Sequence, residues 1–171
     1  MVSTTSADVA TSTMSYPIVL RSITPREAVV DALYRVVIGL DVKDRKLFDS
    51  AFIDGPERRV EMNGKVFSGT DEVMANVFDR VWPLVTQHSI TNVRLDLEDG
   101  ADSAYVTAYA LAYHFRPQQG MNPASEKVLS GCLYHVDVVE DGKEGVWKVK
   151  NWAVKLLWVE GDMSILQGPQ G

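Results

Sequence analysis

The spacing of apolar residues changes once along the chain, and this change constrains the fold more than any other feature. From Thr24 to about Val81, apolar residues recur at the three- and four-residue spacing of amphipathic helices, apart from a hairpin signal at residues 59–67. From Thr86 onward the period is two, in long segments separated by turn residues. Helices followed by antiparallel strands predict an α+β fold, a cone-shaped curved sheet with helices packed on its concave side.

Local signals give the boundaries of these elements. Thr24 is a suitable N-cap and Glu27 completes a capping box, so the first helix is predicted to begin at Pro25. We expect one domain over residues 22–162, between a mobile N-terminal tail (1–21) and a loose C-terminal tail (163–171). The other predicted elements are, in chain order, a short helix at 45–52, strands at 59–62 and 65–67, a helix at 70–81, and strands at 86–97, 104–115, 129–139 and 146–159.

Composition excludes several classes of partner. A chain of 171 residues suits one domain. Its net charge of −6 gives it no electrostatic attraction to nucleic acid, and its apolar runs are too short to cross a membrane. Cys132 is the single cysteine, so no intramolecular disulfide is possible. The N-terminus lacks the basic start and apolar block of a secretion signal, so we expect a cytoplasmic protein.

Three polar residues interrupt apolar segments and are the candidates for chemistry. Asp41 ends a long helix, His88 lies early in the first long strand, and His114 ends a strand whose same-side neighbours are Ala108, Ala110 and Ala112. Alternatives stay open, since Asp41 can cap the next helix, a strand histidine is often a hydrogen-bonded core residue, and small residues also admit a packed helix. The sequence has no phosphate-binding glycine loop, CxxC pair or HExxH motif, and its scattered histidines predict neither metal nor cofactor.

Neighbouring residues are candidates for lining a pocket around these three. Tyr34 lies two helical turns before Asp41 on the same face. Cys132 and Tyr134 share one face of their strand, and His135 takes the other. Tyr109 and Tyr113 lie opposite His114 unless a β-bulge changes the register, so the alternation alone does not decide which set faces the pocket. The open sheet also offers a face for self-association, as a homodimer or homotrimer.

Several short motifs, in this order, resemble those of scytalone dehydratases. The stretch Leu40-Asp41-Val42-Lys43-Asp44 is similar to their Tyr-Asp-x-Lys-Asp, and Thr86-Gln87-His88-Ser89-Ile90 to their Thr-Gln-His-x-Ile. His114 falls where that family carries a second active-site histidine, and Gly145-Val146-Trp147-Lys148 resembles the start of its last strand. The likeness extends from about Ser22 to Asp162 and points to the SnoaL-like group within the nuclear transport factor 2-like superfamily.

The resemblance implies roles for particular residues. Asp41 and His114 would form a hydrogen-bonded acid–base pair with His88 close by. Cys132 and Tyr134 would replace a serine and an asparagine of the dehydratase. Leu40 and Met62 stand where the dehydratase has two tyrosines that bind a water, so the chain is not expected to be scytalone dehydratase itself.

These expectations predict a cofactor-independent dehydratase, isomerase or cyclase acting on a polyketide-like or polycyclic intermediate. The predicted substrate-binding residues are Tyr34, Met62, Trp82, Tyr113, Cys132 and Tyr134. A non-catalytic small-molecule-binding or dimerisation module of the same fold is the main alternative. An epoxide hydrolase or oxygenase-like activity is a further one, for which Arg116 and Glu61 are possible components.

Overall fold

Six strands form one curved, unclosed sheet in the computed structural model, which describes residues 16–142 and 146–167. The strands run along the sheet in the order β2-β1-β6-β5-β4-β3. Their bounds are β1 (Arg59–Met62), β2 (Lys65–Ser68), β3 (Val85–Asp96), β4 (Ser103–Phe115), β5 (Lys127–Asp141) and β6 (Val146–Gly161). The predicted α+β class and curved sheet are confirmed.

One strand pairing departs from the expected antiparallel sheet. β1 pairs with β6 in parallel, whereas β1–β2, β3–β4, β4–β5 and β5–β6 are antiparallel. β1 and β6 lie far apart in the chain and no tight turn joins them, so nothing forces them to run in opposite directions. The sheet bends at register shifts in β3–β4 and in β5–β6, one of them between Gly131 and Cys132, as expected for β-bulges.

Helix α1 (Pro25–Asp41) packs against the sheet and begins as the sequence predicts. Thr24 and Glu27 form the complete capping box, with Pro25 in the first turn. Helix α2 (Arg45–Ser50) is capped by Asp44, whose carboxylate accepts a hydrogen bond from the Leu47 backbone N–H. The capping alternative for Asp41 is therefore wrong, because Asp44 has that role.

The third helical segment contains a π-helical turn. Helix α3 (Thr70–Val73) leads directly into the π-helical Met74–Phe78 and then into α4 (Asp79–Val81). A π-helical turn within a helix shifts the side chains that follow it around the axis, and such turns are frequent at functional sites. No helix among residues 16–142 and 146–167 is long and apolar enough to span a membrane.

The segment after β6 differs from the expected loose tail. Met163–Gln167 forms a 3-10 helix, and Ile165 is buried against Leu84 and Val128. The buried Ile165 anchors the 3-10 helix on the domain. Because one apolar residue creates no periodic pattern, the sequence carries no signal for this helix. Residues 1–15 and 168–171 of the predicted tails, and Gly145 of the quoted motif, lie outside the described residues.

The outer face of the sheet carries exposed aromatic side chains. Tyr109 and Trp158 are each 46% exposed. Self-association as a homodimer or homotrimer stays a prediction.

Candidate active site

A cavity of about 360 Å³ lies between the inner face of the sheet, the α3–α4 segment and the C-terminal 3-10 helix. This volume lies at the lower end of the range typical of small-molecule sites. Most of the residues that line it are apolar, and the polar ones include two histidines. The lining comprises Leu40, Met62, Asn63, Lys65, Phe67, Asn76, Val77, Arg80, Val81, Leu84, His88, Ala112, His114, Ser130, Cys132, Tyr134, Trp152, Val154, Leu156, Val159, Met163, Leu166 and Gln167.

Asp41 and His88 form a hydrogen-bonded pair beside this cavity. Nδ1 of His88 lies 2.7 Å from Oδ1 of Asp41, and the His88 backbone N–H donates to Oδ2 at 2.7 Å. The Thr86 hydroxyl donates to Oδ1 at 2.8 Å. Thr86 and His88 alternate along β3 and so present both donors on the side that faces the end of α1.

These contacts fix the charge of Asp41 and the tautomer of His88. Burial disfavours the negative charge of Asp41. Hydrogen bonds from His88 and Thr86, together with the attraction of a protonated His88 ring, outweigh burial and hold the pKa of Asp41 below its ordinary value. An ionised carboxylate only accepts hydrogen bonds, so the proton of a neutral His88 ring lies on Nδ1. Nε2 is then left as the basic nitrogen of a ring that lines the cavity.

His114 lies beside His88 and is likewise largely buried. The two imidazoles meet edge to face, with ring centroids 5.5 Å apart, and His114 is 7% exposed. Burial, reinforced by the neighbouring His88, lowers the pKa of His114 to about 4. His114 is therefore neutral near pH 7 and offers the cavity an uncharged group that donates or accepts a hydrogen bond.

The predicted hydrogen-bonded pair of Asp41 and His114 is wrong. Asp41 ends α1 next to the edge strand β3, where Thr86 and His88 occupy its carboxylate. His114 lies on β4, one strand further into the sheet and directly opposite Thr86. Among the described side chains, no carboxylate forms a hydrogen bond with His114. The three predicted residues thus lie together, but the histidine that is hydrogen-bonded to Asp41 is His88 and not His114.

The predicted substrate-binding residues divide into two groups of three. Met62, Cys132 and Tyr134 line the cavity. Burial raises the pKa of both the Cys132 thiol and the Tyr134 phenol, so each stays protonated.

Tyr34, Trp82 and Tyr113 do not line the cavity, and their assignment is corrected. Tyr34 lies on the solvent side of α1 and is 40% exposed. Trp82 is 48% exposed and packs its ring on Phe78 beyond the end of α4. Tyr113 stacks on Phe115 on the outer face of β4, because Ala112 and His114 take the inner face. The alternation along β4 therefore holds without a register change.

Sequence reasoning missed several residues of the site. Thr86 stood within the quoted Thr-Gln-His motif, and its spacing of two from His88 was a usable signal. Ser130 precedes Cys132 by two residues and lines the cavity with it, which the same alternation indicates. Trp152 lines the cavity just beyond a register shift in the β5–β6 pairing, and the sequence carried no signal for the position of this shift.

Lys43 is a further missed residue, located behind the histidines. Its ammonium donates hydrogen bonds to the carbonyls of Leu40 at 3.1 Å and Val81 at 3.3 Å. It therefore fastens the end of α1 to the end of α4. Burial lowers the pKa of Lys43, an effect that the nearby Asp41 partly offsets.

Residues considered for other chemistries lie elsewhere. Arg116 pairs with Asp162 and Glu61 with Arg59, and neither Arg116 nor Glu61 lines the cavity. Within residues 16–142 and 146–167, no three His, Cys, Asp or Glu side chains are grouped closely enough to hold a metal ion.

Comparison with known proteins places this site in a family. Residues 21–153 match the family model described as a SnoaL-like domain, and the chain belongs to this family. The "Terrestric acid biosynthesis cluster protein E" of Penicillium crustosum is 36% identical over 156 residues, which is 89% of this chain and 98% of that protein.

Solved structures share the fold at low sequence identity. A type 2 hexachlorocyclohexane dehydrochlorinase, LinA, superposes with a TM-score of 0.63 at 21% identity, over 85% of this chain and 94% of that one. A scytalone dehydratase candidate from Novosphingobium aromaticivorans gives a TM-score of 0.66 at 17% identity, over 80% and 87% of the two chains. The expected resemblance to the SnoaL-like and scytalone dehydratase-like group is confirmed.

Proposed function

We propose that the protein is a cofactor-independent acid–base enzyme, a dehydratase, isomerase or cyclase, that acts on an apolar intermediate of natural-product biosynthesis. The observation that carries this proposal is the Asp41–His88 pair at 2.7 Å, placed beside a second histidine in an apolar cavity. The name of the Penicillium crustosum relative, which refers to a biosynthesis cluster, supports the biosynthetic setting.

The geometry suits removal of a proton beside a carbonyl. Nε2 of His88 takes the proton, and the electron pair of the broken C–H bond forms a carbon–carbon double bond as the carbonyl oxygen gains charge. Asp41 stabilises the imidazolium that results. His114, a neutral imidazole in the cavity wall, would donate a hydrogen bond to the developing oxyanion.

Delivery of that proton decides the product. In a dehydration, the proton on His88 passes to the departing hydroxyl group, and water leaves. In an isomerisation, it returns to a different carbon of the same molecule. In a cyclisation, the carbon that lost its proton attacks a second carbonyl, whose oxygen takes the proton. General acid–base catalysis contributes roughly 10²–10⁴-fold to such reactions, and the cavity supplies positioning.

A binding module of the same fold is the competing interpretation. A cavity that only binds an apolar ligand has no need of an imidazole whose tautomer is set by a partly buried carboxylate carrying three hydrogen bonds. Desolvating these groups is unfavourable. The arrangement therefore favours catalysis.

A generic proton-abstraction substrate tests the proposal directly. 5-Nitrobenzisoxazole loses its C3 proton to a base, and its N–O bond breaks to give a coloured phenolate nitrile. We expect the protein to accelerate this reaction above buffer, and His88→Ala to reduce that acceleration roughly 10²-fold or more.

The third histidine provides a matched control. His135 lies on the outer face of β5, where its ring bonds to Tyr105, and it does not line the cavity. His135→Ala should react at the parent rate, and His114→Ala should fall between the two. Equal rates for the His88 and His135 variants, or no acceleration by the parent protein, would contradict the proposal.

A further inference from the structure

The charges in the cavity wall have one sign. Apart from the histidines, the charged side chains among the described lining residues are Lys65 and Arg80, and no aspartate or glutamate lines the wall. The whole chain carries 23 acidic against 17 basic residues, so an acid-free wall is not what its composition alone would give. Asp41 lies behind His88 and uses its carboxylate in three hydrogen bonds.

Lys65 and Arg80 lie at the mouth of the cavity. Both are exposed, although each lines the cavity. Lys65 begins β2 and shares a face of that strand with Phe67, which also lines the cavity. The Arg80 guanidinium donates a hydrogen bond to the Leu166 carbonyl at 3.2 Å, so the C-terminal 3-10 helix holds it at this edge.

Neither cation is neutralised by a carboxylate of the described residues. Four other exposed basic residues do have such partners, in the pairs Arg45–Asp79, Arg59–Glu61, Arg116–Asp162 and Lys150–Glu57. Asp79, the acidic neighbour of Arg80 in the chain, is used by Arg45.

The remaining polar groups near the mouth are neutral. Asn63 and Asn76 line the cavity, and Asn76 precedes Arg80 by four residues, about one helical turn. The deeper wall is mostly apolar, and its polar side chains include those of His88, His114, Ser130 and Tyr134. A ligand that matches this distribution has an apolar body with an anionic oxygen group at one end.

We propose that the substrate is an apolar organic acid whose carboxylate lies at the mouth between Lys65 and Arg80 while its reacting carbon faces His88. This inference rests on the proposed function and adds the chemical class of the substrate. Because the mouth is open to solvent and its charges are screened, each cation contributes only modestly to affinity, and the two together also orient the substrate. In this orientation the apolar part of the acid lies inside the cavity, and the end opposite the carboxylate contacts the histidines.

Two probes with one ring system test the charge preference. 2-Naphthoate and 2-naphthamide differ in charge and share an apolar body, and calorimetry measures the affinity of each. We expect the parent protein to bind naphthoate more tightly, with an affinity that falls as salt rises. The double variant Lys65→Gln/Arg80→Gln should bind naphthoate about tenfold more weakly and naphthamide within about twofold of the parent.

A second double variant controls for net charge. Lys46 and Arg94 are exposed, lie outside the cavity wall and form no ion pair among the described residues. Lys46→Gln/Arg94→Gln removes the same charge and should leave the naphthoate affinity at the parent value. The exchange Lys65→Arg/Arg80→Lys keeps both charges and should restore binding, which separates loss of charge from misfolding.

The outcomes distinguish this inference from the catalytic proposal. Absence of naphthoate binding, equal affinity for the two probes, or equal losses in the two glutamine double variants would overturn the charge preference. His88→Ala should keep the preference for naphthoate and lose proton abstraction from 5-nitrobenzisoxazole. If the preference persists while His88→Ala reacts at the parent rate, the catalytic proposal fails and the anion site stands.

Discussion

The inner faces of β4 and β5 differ at their two ends. At one end, which we call the packed half, Val106, Ala108, Val136 and Val138 are at most 1% exposed and belong to the core that contains α1. At the other, the cavity half, Ala112, His114, Ser130 and Cys132 face open space. Both halves lie on the same strands and follow the same alternation.

The comparison shows how one sheet supports both a solid core and a site. Valines fill the space under α1 in the packed half, and the aromatic rings of Phe48, Phe52 and Phe78 extend this core. In the cavity half the side chains are small or polar, and the helical layer is the α3–α4 segment with its π-helical turn. Stability is therefore concentrated in the first half, while the second holds its chemistry at lower packing density.

Truncation of Phe48 should produce the largest effect on stability. Phe48 is fully buried, with ring centroids 5.1 Å from both Phe52 and Phe78. Phe48→Ala should lower the free energy of unfolding by about 3–5 kcal/mol, measured by urea denaturation at pH 7. Tyr34→Ala, on the solvent side of α1, is the matched control and should change the free energy of unfolding by less than about 1 kcal/mol. Similar losses in both variants would show that the packed half is not the main source of stability.

Acidification should produce the second-largest effect, a loss of unfolding free energy that arises in the cavity half. His114 has a pKa of about 4 when folded and 6.5 in an unfolded chain, so between these values the unfolded chain binds the additional proton. Its stabilising contribution is complete above about pH 6.5 and is lost as the pH falls toward 4, by roughly 3 kcal/mol in total. Urea denaturation at pH 7, 5.5 and 4.5 measures the loss.

A neutral replacement isolates the contribution of His114. His114→Gln should remove most of the decline between pH 6.5 and 4, whereas His135→Gln should keep it. The lowered pKa of Asp41 acts in a separate window, because its contribution is lost only as the pH falls through its folded pKa, below 3.8. An unchanged decline in His114→Gln would show that His114 does not cause it.

Neutralising Asp41 should have a smaller effect on stability. Asp41→Asn keeps the size of the side chain but loses the charge-assisted hydrogen bond from His88 Nδ1. We expect a loss of about 1–3 kcal/mol in unfolding free energy, and a shift of the neutral His88 ring toward the tautomer protonated at Nε2. Nitrogen-15 NMR of the imidazoles reports that tautomer, with His135 as the internal reference. A ring still protonated only at Nδ1 in the variant would contradict the orienting role of Asp41.

The sequence predicted single elements better than their arrangement. The capping box at Thr24 and Glu27 gave the start of α1, and the period of two in β4 put Ala112 and His114 on one face without deciding that this face is the inner one. These are local signals, in which neighbouring residues of one element determine the outcome. The family resemblance added that Asp41, His88 and His114 meet.

Arrangement between elements was the part that could not be predicted. Which histidine bonds to Asp41 depends on β3 lying next to the end of α1, and this is a tertiary relation. Trp82 was predicted to bind substrate, but the direction of its ring depends on the end of α4. The 3-10 helix at Met163–Gln167 is fixed by one buried residue, Ile165.

The smallest predicted effect is the difference in unfolding free energy between two truncations on the same face of β5. Val136 is fully buried in the packed half, and Cys132, four residues earlier, lines the cavity. Val136→Ala leaves a void that its close-packed neighbours cannot fill, and should lower the unfolding free energy by roughly 2 kcal/mol. Cys132→Ala widens a space that already exists, so it should lower it by less than about 1 kcal/mol. Urea denaturation of the two variants side by side measures the difference. Equal losses would mean that the cavity half is as tightly packed as the core, and that the space beside His88 is not available to a ligand.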